Sequence, residues 1–163
     1  MLPEIFIGSD HRGFELKNQL VAYLSGAAEE SDESYSVSDL GPFKLDPADD
    51  YNDAAILVAQ AVKEHAGSFG ILICGSAHGI AIQANRFPGI RAIAAYTPEL
   101  AKIGREHNDA NILCLSADFI QDFDTVKQIA KDFLTTQFSG EERHIRRNRR
   151  LDTLVSPNQE SQA

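Results

Sequence analysis

Residues 70–87, GILICGSAHGIAIQANRF, decide the fold. Gly70 to Ile73 is a short apolar run rich in β-branched residues, the pattern of a parallel strand buried on both faces. Cys74 stands where that strand ends. Gly75, Ser76, Ala77, His78 and Gly79 follow as a turn with little side-chain bulk. Ile80 to Phe87 then reads as the first turns of a helix, closed by Pro88-Gly89. In an open α/β sheet, ligands bind outside the carboxyl ends of the strands. A turn that opens a helix also offers free N–H groups and a positive dipole end to an anion. The stretch therefore sets a thiol beside an oxyanion cradle. By itself the turn is no phosphate loop, for it lacks the Lys-Ser/Thr of a P-loop and contains no G-x-G-x-x-G.

Outward from this point, strand-like and helix-like stretches alternate. Glu4 to Gly8 predicts a first strand, followed by Ser9-Asp10-His11-Arg12-Gly13. Phe14 to Leu24 carries a helical stripe at Leu16, Leu20, Val21 and Leu24. Gly26 to Ser36 reads as a loop, Tyr35 to Leu40 as a short second strand, and Gly41 to Asp53 as a long Pro- and Asp-rich loop. Helices are predicted over Ala54–His65, Pro98–Glu106 and Asp124–Phe138, and further strands over Arg91–Tyr96 and Asn111–Ser116. Strands separated by helices imply a parallel, five-stranded sheet with right-handed crossovers, in a three-layer α/β/α, Rossmann-like sandwich.

Composition narrows the function classes. The 163 residues suffice for one domain with a proper core. A formal net charge of −9 argues against a general nucleic-acid binder. No apolar run approaches the roughly 18 residues of a membrane span. The N-terminal MLPEIFIGSDH has no basic segment of the kind that opens a secretory leader. Two cysteines, Cys74 and Cys114, both in apolar strand-like runs, suggest reduced thiols and a cytoplasmic setting. The acidic loop from Asp46 to Asp53 matches no EF-hand spacing and reads as a solvated lid. Arg143, Arg146, Arg147, Arg149 and Arg150 crowd one segment, which in isolation reads as a solvated helix face or a patch for a partner subunit.

Five segments, GSDHRGFELK (8–17), ILICGSAHGIAIQAN (71–85), GIRA (89–92), REHNDAN (105–111) and RHIRR (143–147), occur in an order and spacing that resembles the ribose-5-phosphate isomerase B family, which includes galactose-6-phosphate isomerase subunits. The resemblance runs from Ile5 to Leu151. It implies one sugar-phosphate isomerase domain over residues 1–151 and a polar, disordered tail over 152–163. It further implies aldose–ketose isomerisation of a sugar phosphate through a cis-enediol, with no metal and no cofactor. Cys74 matches the thiol that moves the proton between C2 and C1 in one branch. Another branch uses a glutamate six residues further on, where this chain has Ile80. His107 matches the acid of ring opening. Asp10 and His11 match contacts to the sugar hydroxyls and ring oxygen, and Gly75 to Gly79 the donors to the enediolate oxygens. Asn108 matches a further substrate contact, and Arg143 and Arg147 match phosphate-binding arginines. Homodimers or homotetramers with sites shared between subunits are also implied.

The chemistry suits these residues. Proton abstraction beside a carbonyl needs a base at the carbon and donors at the oxygen. Guanidinium forks suit phosphate. Three positions depart from the family pattern. Asp118 stands where an arginine commonly grips the phosphate, with Arg12, Arg146 or Arg149 as candidates to replace that cation. Ala77-His78 alters the turn, and Tyr51-Asn52 replaces Tyr-Pro. Ribose 5-phosphate is the expected substrate. An isomerase of another sugar phosphate is the alternative, such as galactose 6-phosphate or a tetrose or hexose phosphate, and a non-catalytic sugar-phosphate binder a second. A nucleotide or flavin binder is more remote.

Overall fold

The structure is a computed structural model that describes residues 2–27 and 34–153. Its elements run β1 (Glu4–Ser9), α1 (Phe14–Leu24), β2 (Ser36–Asp39), α2 (Tyr51–Glu64), β3 (Phe69–Cys74), α3 (His78–Ala84), β4 (Ala92–Ala94), α4 (Pro98–Asn108), β5 (Ile112–Ser116), α5 (Phe123–Thr135) and α6 (Glu142–Asp152). The five strands form one parallel sheet in the order β2-β1-β3-β5-β4. β3, read first in the sequence, is the central strand.

Strand alternation builds the two outer layers. Ile5, Ile7, Ile71, Ile73, Leu113 and Leu115 point to one face and pack with α1 and α5 and with Ala101 of α4. Phe6, Leu72, Cys74, Ile112 and Cys114 point to the other, against α2 and α3. Each fully buried Ile or Leu contributes about 1.5–3 kcal/mol, and this double-faced core matches the near-continuous apolar runs of β3 and β5, whereas the edge strand β2 (SVSD) is mostly polar.

The element boundaries differ from the sequence reading where side chains intervene. α2 begins at Tyr51 rather than Ala54, with extended Asp50 before it and Asp53 in a first turn that favours an acid. α3 begins at His78, so His78 and Gly79 are helical, and it stops at Ala84 rather than Phe87. There the Asn85 amide turns away to bond both the N–H and the carbonyl of Ala92 at 2.8 Å. α5 ends at Thr135, short of Phe138. α6, which the sequence reading did not set out as an element, ends on Asp152, where Arg91 takes its carboxylate at 2.8 Å. The polar tail expected over 152–163 lies outside the described residues from 154 onward, as do residues 28–33 of the loop expected between α1 and β2.

Candidate active site

Cys74 is the last residue of β3 and is only 4% exposed. The chain turns back sharply after it. Ala77 takes the left-handed conformation, φ 67° and ψ −15°, before α3 begins. This bend aims the backbone N–H groups of Ile80, Ala77 and Ser76 at Sγ. Burial is the largest influence on the thiol and pushes its pKa up. The Ile80 and Ala77 N–H groups oppose it, Asp10 adds to the rise, and the Ser76 N–H lowers it. Cys114, fully buried on the same face, is pushed up further, by burial first and then by Cys74. It is a core residue.

Two strand ends flank the thiol. From β1, Asp10 is buried, and its Oδ1 accepts the N–H groups of Arg12 (2.9 Å) and Gly13 (3.0 Å). Burial, outweighing these bonds, raises its pKa. His11 donates both its backbone N–H (2.9 Å) and its Nδ1–H (2.7 Å) to Asp49 Oδ1. That carboxylate raises the imidazole pKa and fixes the tautomer, leaving Nε2 for a ligand. Part of the expected lid is therefore a support for His11. From β5, Ser116 Oγ donates to Gly75 O at 2.6 Å, and the N–H groups of Ala117 and Asp118 donate to Cys74 O and Gly75 O. Asp118 pairs with Arg12, Oδ2 to Nη2 at 2.7 Å.

The turn itself is braced by two tyrosines. Tyr96 donates its hydroxyl to Ser76 O at 2.5 Å and stands 3.2 Å from Nδ1 of the exposed His78. Tyr51 lies flat on Gly79, where an added Cβ would meet the ring at 2.6 Å. Asn52, in the place of the family's proline, ties α2 to α3 through Gln83 at 2.7 Å.

The remaining expected site residues lie elsewhere. α4 starts after the carboxyl end of β4, capped by Thr97, and runs back to Asn108, three residues before β5. Its 11 residues span about 16 Å, so His107 and Asn108 sit at the amino end of the sheet, away from Cys74. There α6 packs on α4. Asn148 donates to His107 O at 3.1 Å, and the His144 and His107 rings stack at 4.3 Å. His144 is buried, and burial first, then His107 and the flanking arginines, lower its pKa. His144 and Asn148 occupy the inner face of α6. Arg143 and Arg147, also four apart, are exposed beside it. Arg143 pairs with Glu141 at 2.7 Å. One chain thus brings together Cys74, the turn, Asp10 and His11 at one end, and His107, Asn108, Arg143 and Arg147 at the other.

Sequence reasoning missed Asp49, Tyr96 and His144. The first two act across 38 and 20 residues of chain without any periodicity to betray them. For His144 the i, i+4 spacing with Asn148 was an available signal. Among the described residues no group of three or more His, Cys, Asp or Glu could hold a metal ion, and no helix is long and apolar enough to cross a membrane.

A parallel α/β sandwich with a thiol at the end of its central strand, facing main-chain donors and flanked by a carboxylate and an imidazole, has the parts of a proton-transfer site. Residues 5–151 match the sequence profile of the Ribose/Galactose Isomerase family, and the chain belongs to that family. It is 42% identical over 143 residues to a probable ribose-5-phosphate isomerase B of Mycoplasma pneumoniae, covering 88% of this chain and 89% of that one. It is 36% identical to ribose-5-phosphate isomerase B of Escherichia coli over 85% of this chain and 88% of that one. Among solved structures, ribose-5-phosphate isomerase B of Mycoplasma genitalium with bound ribulose-5-phosphate superposes with a TM-score of 0.84 at 38% identity, covering 93% of this chain and 95% of that one. The Thermotoga maritima isomerase gives a TM-score of 0.84 at 38% identity over 93% of this chain and 99% of that one.

Proposed function

We propose that the protein interconverts ribose 5-phosphate and ribulose 5-phosphate. The observation that carries this reading is the buried Cys74 sulfur facing three backbone N–H groups at the end of the central strand, in a chain whose relatives are named for this reaction. Asp10 and His11 engage the sugar hydroxyls and ring oxygen. His107 donates a proton to the ring oxygen as the C1–O4 bond of the furanose breaks, and the anomeric hydroxyl releases its own proton to water to leave the C1 aldehyde. The Cys74 thiolate takes the proton from C2, and the electron pair moves to give an enediolate between C1 and C2. N–H groups of the Gly75–Gly79 turn hold its oxygen. The proton returns from sulfur to C1, and the O2 carbonyl forms as its hydroxyl proton passes to O1. Asn108 adds a substrate contact, and Arg143 and Arg147 grip the phosphate, whose binding energy orients the reacting end.

His107, Asn108 and the two arginines lie about the length of α4 from Cys74. The site is therefore completed between two copies, one giving Cys74 and its turn and the other the cationic end. A homodimer is the minimum assembly, and a homotetramer is two such pairs. The reaction needs no metal or organic cofactor, and the setting is cytoplasmic. Asp118 favours a second reading in which the substrate is a different sugar phosphate.

The test is conversion of ribose 5-phosphate by the purified protein beside Cys74→Ala. We expect turnover that survives a chelator and falls by at least about 10³-fold in the variant, in the range of losing a general base. No turnover by the folded, unmutated protein would move the substrate to another sugar phosphate.

A further inference from the structure

Arg12 and Asp118 come from the segments after β1 and β5, the two strands that flank β3, and they meet across the end of β3. Their contact is fork to fork, Nη2 to Oδ2 at 2.7 Å and Nε to Oδ1 at 3.3 Å. The pair lies directly on Gly75. A Cβ built there would fall 2.8 Å from Asp118 Oδ2 and 2.9 Å from Arg12 Cδ and Nε. A side chain at position 75 would thus have to displace the ion pair.

Stability does not explain the arrangement. The side chains are 56% and 34% exposed, and pairs this wet contribute about 0–1 kcal/mol. What the pair does fix is orientation. A guanidinium has two donor edges. Asp118 occupies the Nε–Nη2 edge, and no described residue takes the Nη1 edge, which is left as a fork beside the turn that follows Cys74. The other cations weighed for this role, Arg146 and Arg149, are on α6 with Arg143 and Arg147, so within one chain Arg12 is the candidate that stands beside the turn.

We propose that Arg12 is a substrate-binding residue that takes the phosphoryl oxygens of the sugar phosphate on its free edge, and that Asp118 is the positioning residue that holds it there. This rests on the sugar-phosphate reading of the site. Asp118 then lies behind the guanidinium instead of facing the dianion, and the carboxylate that looked hostile to phosphate supports its binding. Lysine cannot replace Arg12, because a single ammonium cannot serve both partners as a planar fork.

The probe is inorganic phosphate, whose binding is measured by titration calorimetry on the full chain and needs no turnover. We expect Arg12→Met and Arg12→Lys to weaken it at least tenfold. Asp118→Asn should weaken it severalfold, with Asp118→Glu recovering most of the loss. The KM for ribose 5-phosphate should rise in parallel, with a smaller fall in kcat, and the melting temperature should hold. Phosphate affinity unchanged in Arg12→Met overturns the proposal, as does no phosphate binding by the unmutated protein. A large loss with Asp118→Asn that appears in melting temperature and not in KM makes the pair structural, and also overturns it. Unmutated protein that binds phosphate through Arg12 but does not turn over ribose 5-phosphate retires the ribose reading and leaves this one standing.

Discussion

At the carboxyl end of the sheet the groups around Cys74 are mostly main chain: three N–H groups on the sulfur and two carbonyls pinned by the β5 turn. At the amino end His107, Arg143 and Arg147 are exposed side chains on two helices, joined by a tilted contact of the His107 and His144 rings and a hydrogen bond from the Asn148 amide to His107 O. The first end is fixed around a buried thiol, and its cation Arg12 is paired with Asp118. The second is wet and cationic. A reaction that moves a proton at one end of a small molecule and grips a dianion at the other needs both kinds of surface. In this fold they lie at opposite ends of the strands, so in the proposed dimer each chain supplies half of two sites.

The most decisive way to break this comparison is complementation. Cys74→Ala and Arg147→Ala should each be nearly inactive alone. Co-expressed, they should recover about a quarter of unmutated activity, because half of random dimers are mixed and each holds one intact site. No recovery in verified mixed dimers would mean the two ends do not share a substrate.

The next effect sharpens the comparison. Burial and Asp10 push the thiol above its ordinary value, and in the proposed reaction the thiolate is the competent form. From the groups of a single chain, kcat/KM should therefore climb about tenfold per pH unit through neutrality. Asp10→Asn should shift that limb to lower pH. A limb centred below pH 7 in the unmutated enzyme would show that the partner's cations outweigh burial at the sulfur.

Much of this was legible in the residues and some was not. β3 with Cys74 at its end, and α1 at Phe14–Leu24, followed directly from apolar runs and helical spacing. α6 did not stand out, because ERHIRRNRRLD has only Ile145 and Leu151 as large apolar residues and turns His144 and Asn148 inward instead. The separation of His107 from Cys74 was in principle readable. A helix that follows one parallel strand must end where the next begins, which is the opposite edge from any strand's carboxyl end. The pairing of Arg12 with Asp118 spans 106 residues and needed coordinates.

The smallest expected effect concerns how the rigid end is held. Ala77 at φ 67° carries about 1–2 kcal/mol of left-handed strain, which Gly would relieve while adding about 0.5–1 kcal/mol of unfolded-state freedom. Ala77→Gly should therefore move urea-derived stability by no more than about 1.5 kcal/mol. A larger gain would mean that strain, more than packing, sets the turn.

The N–H of Ile80 faces the Cys74 sulfur, and its side chain is fully buried in the first turn of α3. The resemblance read from the sequence implies a glutamate at this position in another branch of the family. In evolutionary terms the proposed proton-transfer role then has two adjacent seats, one on the strand and one on the helix. A lineage passing through a chain with both occupied could exchange thiol for carboxylate without ever losing the reaction, and Ile80 marks which seat this one left empty.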